Sequence, residues 1–236
     1  MKYVKFAKFY DAIYSFKNYE AETRRLHELI SAYKRAPGNS LLDVACGTGG
    51  HLTFLRNLYA VEGLDLSEEM LTIARQRLPE TQFHRADMLD FDLGRKFDVV
   101  VCLFSAIGYV KTKQRLKQAI ANMSRHLAPG GVLAIEPWLS GETYQPGGLH
   151  GMFINQPELK IARLNLGAVR NGVSIIKFHC LVGTPEGIEY FTERHELGLF
   201  SEAEYLEAFA AAGLEIFYDE KGLMDRGLYL GRSPAQ

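Results

Sequence analysis

The chain has 236 residues, 47% of them hydrophobic and 23% charged, enough for a full core in one large domain or in one domain carrying an insertion. Lys plus Arg total 27 and Asp plus Glu total 28, a net charge of -1, which supplies no basic field for steering onto nucleic acid or anionic lipid. The longest apolar run, Val99 to Val110, has twelve residues, well short of the ~20 that a membrane helix needs.

The N-terminal stretch Met1 to Tyr14 mixes Lys2, Lys5, Lys8 and Asp11 with aromatics and lacks the apolar core of an export signal. Tyr19 to Lys34 carries Leu26, Leu29, Ile30 and Tyr33 at helical spacing and stops before Pro37-Gly38. Ser40 to Ala45 reads as a buried strand running into Cys46-Gly47-Thr48-Gly49-Gly50, followed by a helix from His51 to Leu58. Ala60 to Leu66 is a second strand, Ser67 caps a helix through Leu78, and Thr81 to Arg85 is a third strand. Phe97 to Leu103 is a fourth strand, Thr112 to Leu127 a helix, Pro129-Gly130-Gly131 a turn, and Val132 to Glu136 a fifth strand. This α/β alternation predicts a mostly parallel sheet covered by helices. Beyond Leu139 the glycines at 141, 147, 148 and 151 predict a loop, and residues 152 to 200 alternate as an inserted antiparallel sheet with a turn at Asn171-Gly172. Ser201 opens a helix that ends at Gly213, and strands Leu214 to Tyr218 and Gly227 to Leu230 close the chain. The expected division is a core over 1–139, an insert over 140–200 and a closing segment over 201–236. Cys46, Cys102 and Cys180 stand far apart with no C-x-x-C pair, which fits reduced thiols and a soluble cytoplasmic protein with no metal site.

The segment Leu41-Leu-Asp-Val-Ala-Cys-Gly-Thr-Gly-Gly50 carries the most chemistry, because a strand entering a glycine loop lets a ligand approach bare backbone. A nicotinamide site would want a third glycine where Leu52 stands. Asp43, on the strand before the loop, suits an amino group. Asp65 ends the second strand 18 residues after Gly47, where a carboxylate can accept both hydroxyls of a ribose. Asp87 and Met88 follow the third strand and could hold an exocyclic amine and a ring face. Cys102 to Ser105 lies at the carboxyl edge, where open α/β sheets bind ligands.

Together, D-V-A-C-G-T-G, G-L-D-L-S, A-D-M and P-G-G before a strand resemble the S-adenosylmethionine-dependent methyltransferase family. The resemblance implies a Rossmann-like fold, a seven-stranded sheet with its last strand antiparallel, and cofactor roles for Ala45, Gly47, Asp65, Asp87 and Met88. Cys46, Gly49, Leu66, Met70 and Leu103 complete the expected cofactor site, with Asp43 near its methionine end. F-Y-D-A-I-Y at 9–14, L-G-R-K-F at 93–97, E-P-W at 136–138 and D-R-G-L-Y-L-G at 225–231 resemble, more narrowly, the nucleotide-sugar N,N-dimethyltransferases of macrolide pathways. That likeness implies an acceptor that is a dTDP-linked deoxyamino sugar. Tyr14 would lie over the sulfonium and sugar, Glu136, Trp138 and Arg163 would help to wall the acceptor, and Arg226 would face the diphosphate. Leu139-Ser140-Gly141 and the region from Gly147 to Pro157 depart from the family's pattern and bear on substrate identity. A homodimer formed through edges of the inserted sheet is also implied.

A sulfonium methyl is already activated, so transfer to nitrogen needs a neutral amine aligned with the departing sulfur, and a strong base is unnecessary. His179, His195 and Tyr109 are candidate proton acceptors, and Tyr14 is the expected catalytic residue. Two other readings stay open: a methyltransferase acting on another small amine or hydroxyl, and a noncatalytic module that holds the methyl donor.

Overall fold

The computed structural model describes residues 4–235; the first three residues of the N-terminal stretch, Lys2 among them, lie outside it. Two helices, α1 (Val4–Ile13) and α2 (Tyr19–Tyr33), precede β1 (Ser40–Val44). Then follow α3 (Leu52–Leu55), β2 (Ala60–Asp65), α4 (Glu68–Arg77), β3 (Gln82–Arg85), β4 (Phe97–Cys102), a 3-10 turn at Ala106–Val110, α5 (Lys113–Arg125) and β5 (Leu127–Ile135). Four long strands come next: β6 (Leu149–Gln156), β7 (Leu159–Arg170), β8 (Val173–Thr184) and β9 (Gly187–Gly198). The chain closes with α6 (Glu202–Ala211), β10 (Glu215–Asp219) and β11 (Leu228–Arg232).

The first sheet has the order β10-β11-β5-β4-β1-β2-β3, and only β11 runs against its neighbours. Successive residues of its central strands point to opposite faces, and both faces are covered. Leu42, Val100 and Leu133 face α5 and α6, packing on Leu116, Ile120 and Phe209. Leu41, Val99 and Val132 face α2 and α3, packing on Leu26, Ile30 and Leu52. The near-continuous apolar character of β1 and β4 follows from this double burial. The expected helix caps are present: Ser67 accepts from the Met70 amide and Thr112 from the Arg115 amide, and Ser201 and Glu204 form a capping box.

Three elements differ from the sequence reading. The helix after the glycine loop is one turn, Leu52–Leu55, in place of His51 to Leu58. Strand β5 starts at Leu127 and runs through Pro129-Gly130-Gly131 with a register shift against β4, because the Gly130 carbonyl accepts from Arg35 and Ala36 and its amide donates to Pro234. The expected loop around Gly151 is β6, the edge of the second sheet. An edge strand tolerates glycine because only one side of it must pair and pack.

The second sheet, β6-β7-β8-β9, is antiparallel throughout. Its inner face carries Ile161, Ile176, Phe178, Cys180 and Phe191, which pack on Phe6, Phe9 and Ile13 of α1 and on Met70 of α4. Helix α1 is therefore held between the two sheets. Lys17 and His51 both bond Glu22 at 2.8 Å, and Asp11 accepts from Thr48 at 2.8 Å and pairs with Arg77, so the N-terminal segment is fastened to the glycine loop.

His195, on the inner face of β9, is 6% exposed and lies edge-on to Phe178 and Phe6 at 5.1 and 5.5 Å. Burial, joined by the charge of Arg163, lowers its pKa to about 4. The folded chain thus leaves this imidazole neutral over a range in which the unfolded chain, titrating near 6.5, binds a proton. Its contribution is complete above that value and shrinks as the pH falls toward 4, by up to roughly 3 kcal/mol. Urea unfolding at pH 7.5 and 4.5 should show the wild type losing stability relative to His195→Phe; parallel losses in both would refute it.

Candidate active site

The strand order reverses between β1 and β4: from β1 the chain moves outward to β2 and β3, then returns to the far side of β1. The loops leaving the carboxyl ends of these two strands diverge and open a crevice. A cavity of about 620 Å³ occupies it, roofed by α1 and the second sheet, within the range of about 300–1,000 Å³ usual for small-molecule sites.

At the β1 end, Asp65 ties two segments together. One carboxylate oxygen accepts from the Gly47 amide and the other from the Ser67 amide, both at 2.8 Å, so the glycine loop and the start of α4 share one anchor. Burial raises the Asp65 pKa in spite of these bonds. The three glycines of the loop do different work. Gly47 has φ +56° and nothing within 4 Å of where a side chain would stand, so its backbone is bare to the cavity. Gly49 packs against Ala74 of α4 and Leu78 just past its end, and a side chain on Gly50 would collide with the Tyr19 ring. Asp87 spends one oxygen on the Leu89 amide at 3.0 Å and lines the cavity beside Met88.

At the β4 end, Phe104 and Ser105 both adopt left-handed backbone, φ +51° and +63°, a conformation that costs non-glycine residues on the order of 1–3 kcal/mol each. Glu136, wholly buried, holds this turn by accepting from the Phe104 amide at 2.6 Å. The Ser105 hydroxyl donates to the Pro137 carbonyl at 2.8 Å and accepts from Arg226 at 3.0 Å, while Arg226 lies 3.7 Å from Glu136. One carboxylate, one hydroxyl and one guanidinium thus join β4, the end of β5 and the segment before β11. Lys17 stands 3.9 Å above the Phe104 ring, and Arg226 lies 5.7 Å from the Phe104 and Trp138 rings.

Tyr14 closes the space between these ends. Its amide continues α1 by bonding the Tyr10 carbonyl, and its ring packs on Tyr10 at 4.7 Å and on Phe104 at 5.1 Å. Burial raises its pKa, so the phenol keeps its proton at neutral pH. Tyr109 bonds His195 Nδ1 at 2.5 Å on the opposite wall.

Of the residues expected from sequence, Tyr14, Ala45, Gly47, Asp65, Leu66, Met70, Asp87, Met88, Leu103, Trp138 and Arg226 line this one cavity. Asp43, Cys46, Gly49, Glu136 and Arg163 do not. Asp43 is 2% exposed within β1, where burial, with Asp65 beside it, pushes its pKa well above the usual carboxylate range. Burial likewise pushes up the Cys46 thiol. Glu136 lies beneath the cavity wall, beside Arg226, instead of facing the cavity. Arg163 lies behind Tyr14, with its guanidinium 5.4 Å from that ring. His179, a candidate proton acceptor, instead pairs with Tyr190 away from the cavity. Among wall residues outside the expected set, Tyr10 had a readable signal, four positions before Tyr14 on one helix face. Phe178 and Arg115 had none, because only folding brings their strand and helix to the crevice.

The methyltransferase domain family matches residues 41–131. Over 218 residues the chain is 42% identical to the dTDP-3-amino-3,4,6-trideoxy-alpha-D-glucopyranose N,N-dimethyltransferase of Streptomyces venezuelae, covering 91% of each chain. It is 41% identical over 229 residues to the dTDP-4-amino-2,3,4,6-tetradeoxy-D-glucose N,N-dimethyltransferase of Saccharopolyspora spinosa, covering 95% of this chain and 91% of that one. The crystal structure of Streptomyces venezuelae DesVI superposes with a TM-score of 0.92 at 41% identity, covering 98% and 99% of the two chains. CalS10 with bound S-adenosylmethionine, an amino pentose methyltransferase from Micromonospora echinaspora, superposes with a TM-score of 0.86 at 39% identity, covering 94% and 95%. The bare backbone at Gly47 and the half-buried Asp65 carboxylate on the cavity wall fit that same cofactor. The chain belongs to the S-adenosylmethionine-dependent methyltransferases, in the family of the sugar N,N-dimethyltransferases.

Proposed function

We propose that the protein methylates the amine of a dTDP-linked deoxyamino sugar twice, giving the N,N-dimethyl sugar. The observation that carries this reading is the reach of the similarity: it covers 91–95% of the chain, far beyond the donor-binding segment 41–131, and so includes the acceptor end. Two further expectations go with it, a cytoplasmic location and a place in antibiotic sugar biosynthesis; CalS10 is involved in calicheamicin biosynthesis.

S-Adenosylmethionine supplies a methyl group already activated on its sulfonium sulfur. Asp65 would accept the ribose hydroxyls, Ala45 and Gly47 would offer backbone, and Asp87 would take an exocyclic amine. Leu66, Met70, Met88 and Leu103 would supply apolar wall. Residues 1–139 then form the donor core, 140–200 an insert that shapes the acceptor site, and 201–236 the segment that closes the core. Transfer requires a neutral amine about 3 to 3.5 Å from the methyl, so catalysis rests chiefly on positioning. The Tyr14 ring limits where the sugar can stand, and its phenol, protonated at neutral pH, can donate to a sugar hydroxyl. Arg226 presents a planar fork suited to a diphosphate, held in direction by Ser105 and Glu136.

We also infer a homodimer. The outer face of the second sheet carries Leu149, Phe153, Leu166, Leu181 and Tyr190, all exposed, and Phe153, Leu181 and Tyr190 fall in one cross-strand row. Such a patch suits a self-complementary contact.

Mass spectrometry after incubation with donor should show one and then two methyl groups on a dTDP-3-amino or dTDP-4-amino deoxyhexose and none on free amino acids or simple amines; the reverse pattern would sink the reading. Substitutions should separate the two ends of the cavity. Asp65→Asn should weaken donor binding about tenfold, Arg226→Lys should raise the acceptor KM about tenfold or more with kcat little changed, and Tyr14→Phe should lower kcat with donor affinity intact. Light scattering should give a dimer that Phe153→Glu with Leu181→Glu converts to a folded monomer; a monomeric wild type would refute the interface.

A further inference from the structure

The F-Y-D-A-I-Y stretch at 9–14 holds one residue that neither the cavity nor the core accounts for. Phe9 and Ile13 pack on the second sheet, with Ala12 beside them, and Tyr10 and Tyr14 line the cavity. Asp11 serves neither. Its Oδ1 accepts from the Thr48 hydroxyl at 2.8 Å, and its Oδ2 accepts from Arg77 Nη2. Arg77, the last residue of α4, also donates through Nη1 to the Thr48 carbonyl at 2.8 Å and to the Thr48 hydroxyl at 3.2 Å, so the three residues close one ring of bonds. Thr48 is 1% exposed and stands between Gly47 and Gly49, both at positive φ. The tie therefore grips the glycine loop where its backbone has most freedom.

We propose that Asp11 is a positioning residue for methyl transfer: it fixes α1 against the glycine loop and so sets where the Tyr14 phenol stands relative to the donor. The inference rests on the reading of Tyr14 as the residue that meets the acceptor. Without Asp11 the helix would keep its seat on the second sheet, since Phe6, Phe9 and Ile13 are each no more than 4% exposed. It would lose its direct bond to the loop after β1. Its packing on Met70 of α4 is apolar and sets no direction, and the next polar tie, between Lys17 and Glu22, lies beyond the end of the helix.

The contact is suited to alignment more than to stability. The side chains of Asp11 and Arg77 are 43% and 28% exposed, and an ion pair so open to water adds little to folding. Its hold is directional, because one carboxylate oxygen meets the loop and the other meets α4, which fixes the helix against both at once. Asp11 and Tyr14 lie three residues apart and are neighbours on the helix surface, so a rotation of α1 that moves one moves the other. Arg163 donates to the Tyr14 phenol, which leaves the phenol's own proton for a sugar hydroxyl. Methyl and amine must meet within about 3 to 3.5 Å, and a misplacement of about 1 Å is enough to cost tenfold or more in rate.

Single and double variants test this, with the dTDP-3-amino deoxyhexose as acceptor. Asp11→Ala should lower kcat about tenfold, while the donor Kd from calorimetry and the acceptor KM change less than about threefold and the Tm stays within a few degrees of wild type. Asp11→Asn, which keeps an acceptor oxygen for Thr48, should return kcat to within about threefold of wild type. In a Tyr14→Phe background Asp11→Ala should cost less than about twofold, because the phenol it places is gone, whereas in an Arg226→Lys background it should cost the whole factor of about ten. The whole cost in both backgrounds would overturn the inference, as would a donor affinity that falls in step with kcat, or a fall in Tm with kcat intact. Each of those results leaves the acceptor reading standing. A wild type that does not methylate the sugar nucleotide would overturn both.

Discussion

The constraint on which the rest of the molecule depends is the reversal of strand order between β1 and β4. Two neighbouring parallel strands end side by side, and their continuations turn away from each other, so the fold itself makes a crevice before any side chain is chosen. Everything of functional interest is built onto that opening. The loop after β1 exposes bare backbone at Gly47, the turn after β4 holds two residues in left-handed backbone, and α1 and the second sheet cover both.

Keeping the crevice in shape falls to two carboxylates, Glu136 wholly buried and Asp65 half-buried. Asp65 bonds the amides of Gly47 and Ser67, and Glu136 bonds the Phe104 amide and stands beside Arg226. In each case a carboxylate satisfies backbone donors of a segment that regular hydrogen bonding has abandoned, which offsets the cost of burying the charge. The same arrangement fixes direction. Arg226 cannot swing freely while Ser105 and Glu136 hold it, and Lys17 stays over Phe104 while Glu22 holds its ammonium. The wall that would meet the acceptor is therefore set before ligand arrives, as catalysis by positioning requires.

The second sheet has two faces with opposite demands. Its inner face supplies Phe178 and His195 to the cavity wall and sets Arg163 behind it, while its outer face exposes Leu149, Phe153 and Ile188. Since successive residues of a strand alternate between faces, one insertion serves both the site and a contact surface.

The sequence by itself determined the donor half. Apolar runs in β1 and β4 reveal strands buried on both faces, the D-V-A-C-G-T-G loop reveals a bare approach for a ligand, and Asp65 follows its strand at a readable distance. Those signals are local, so each survives in a short window of the chain. Tertiary structure alone decided the acceptor half. It buried Glu136 beneath the wall it was expected to form, set Arg163 behind Tyr14, paired Tyr109 with His195 across 86 positions, and made a strand of the glycine-rich stretch around Gly151. No spacing rule could have supplied these, because whether a polar side chain faces a cavity, supports a neighbour or stands behind a ring depends on which distant strands and helices pack against it.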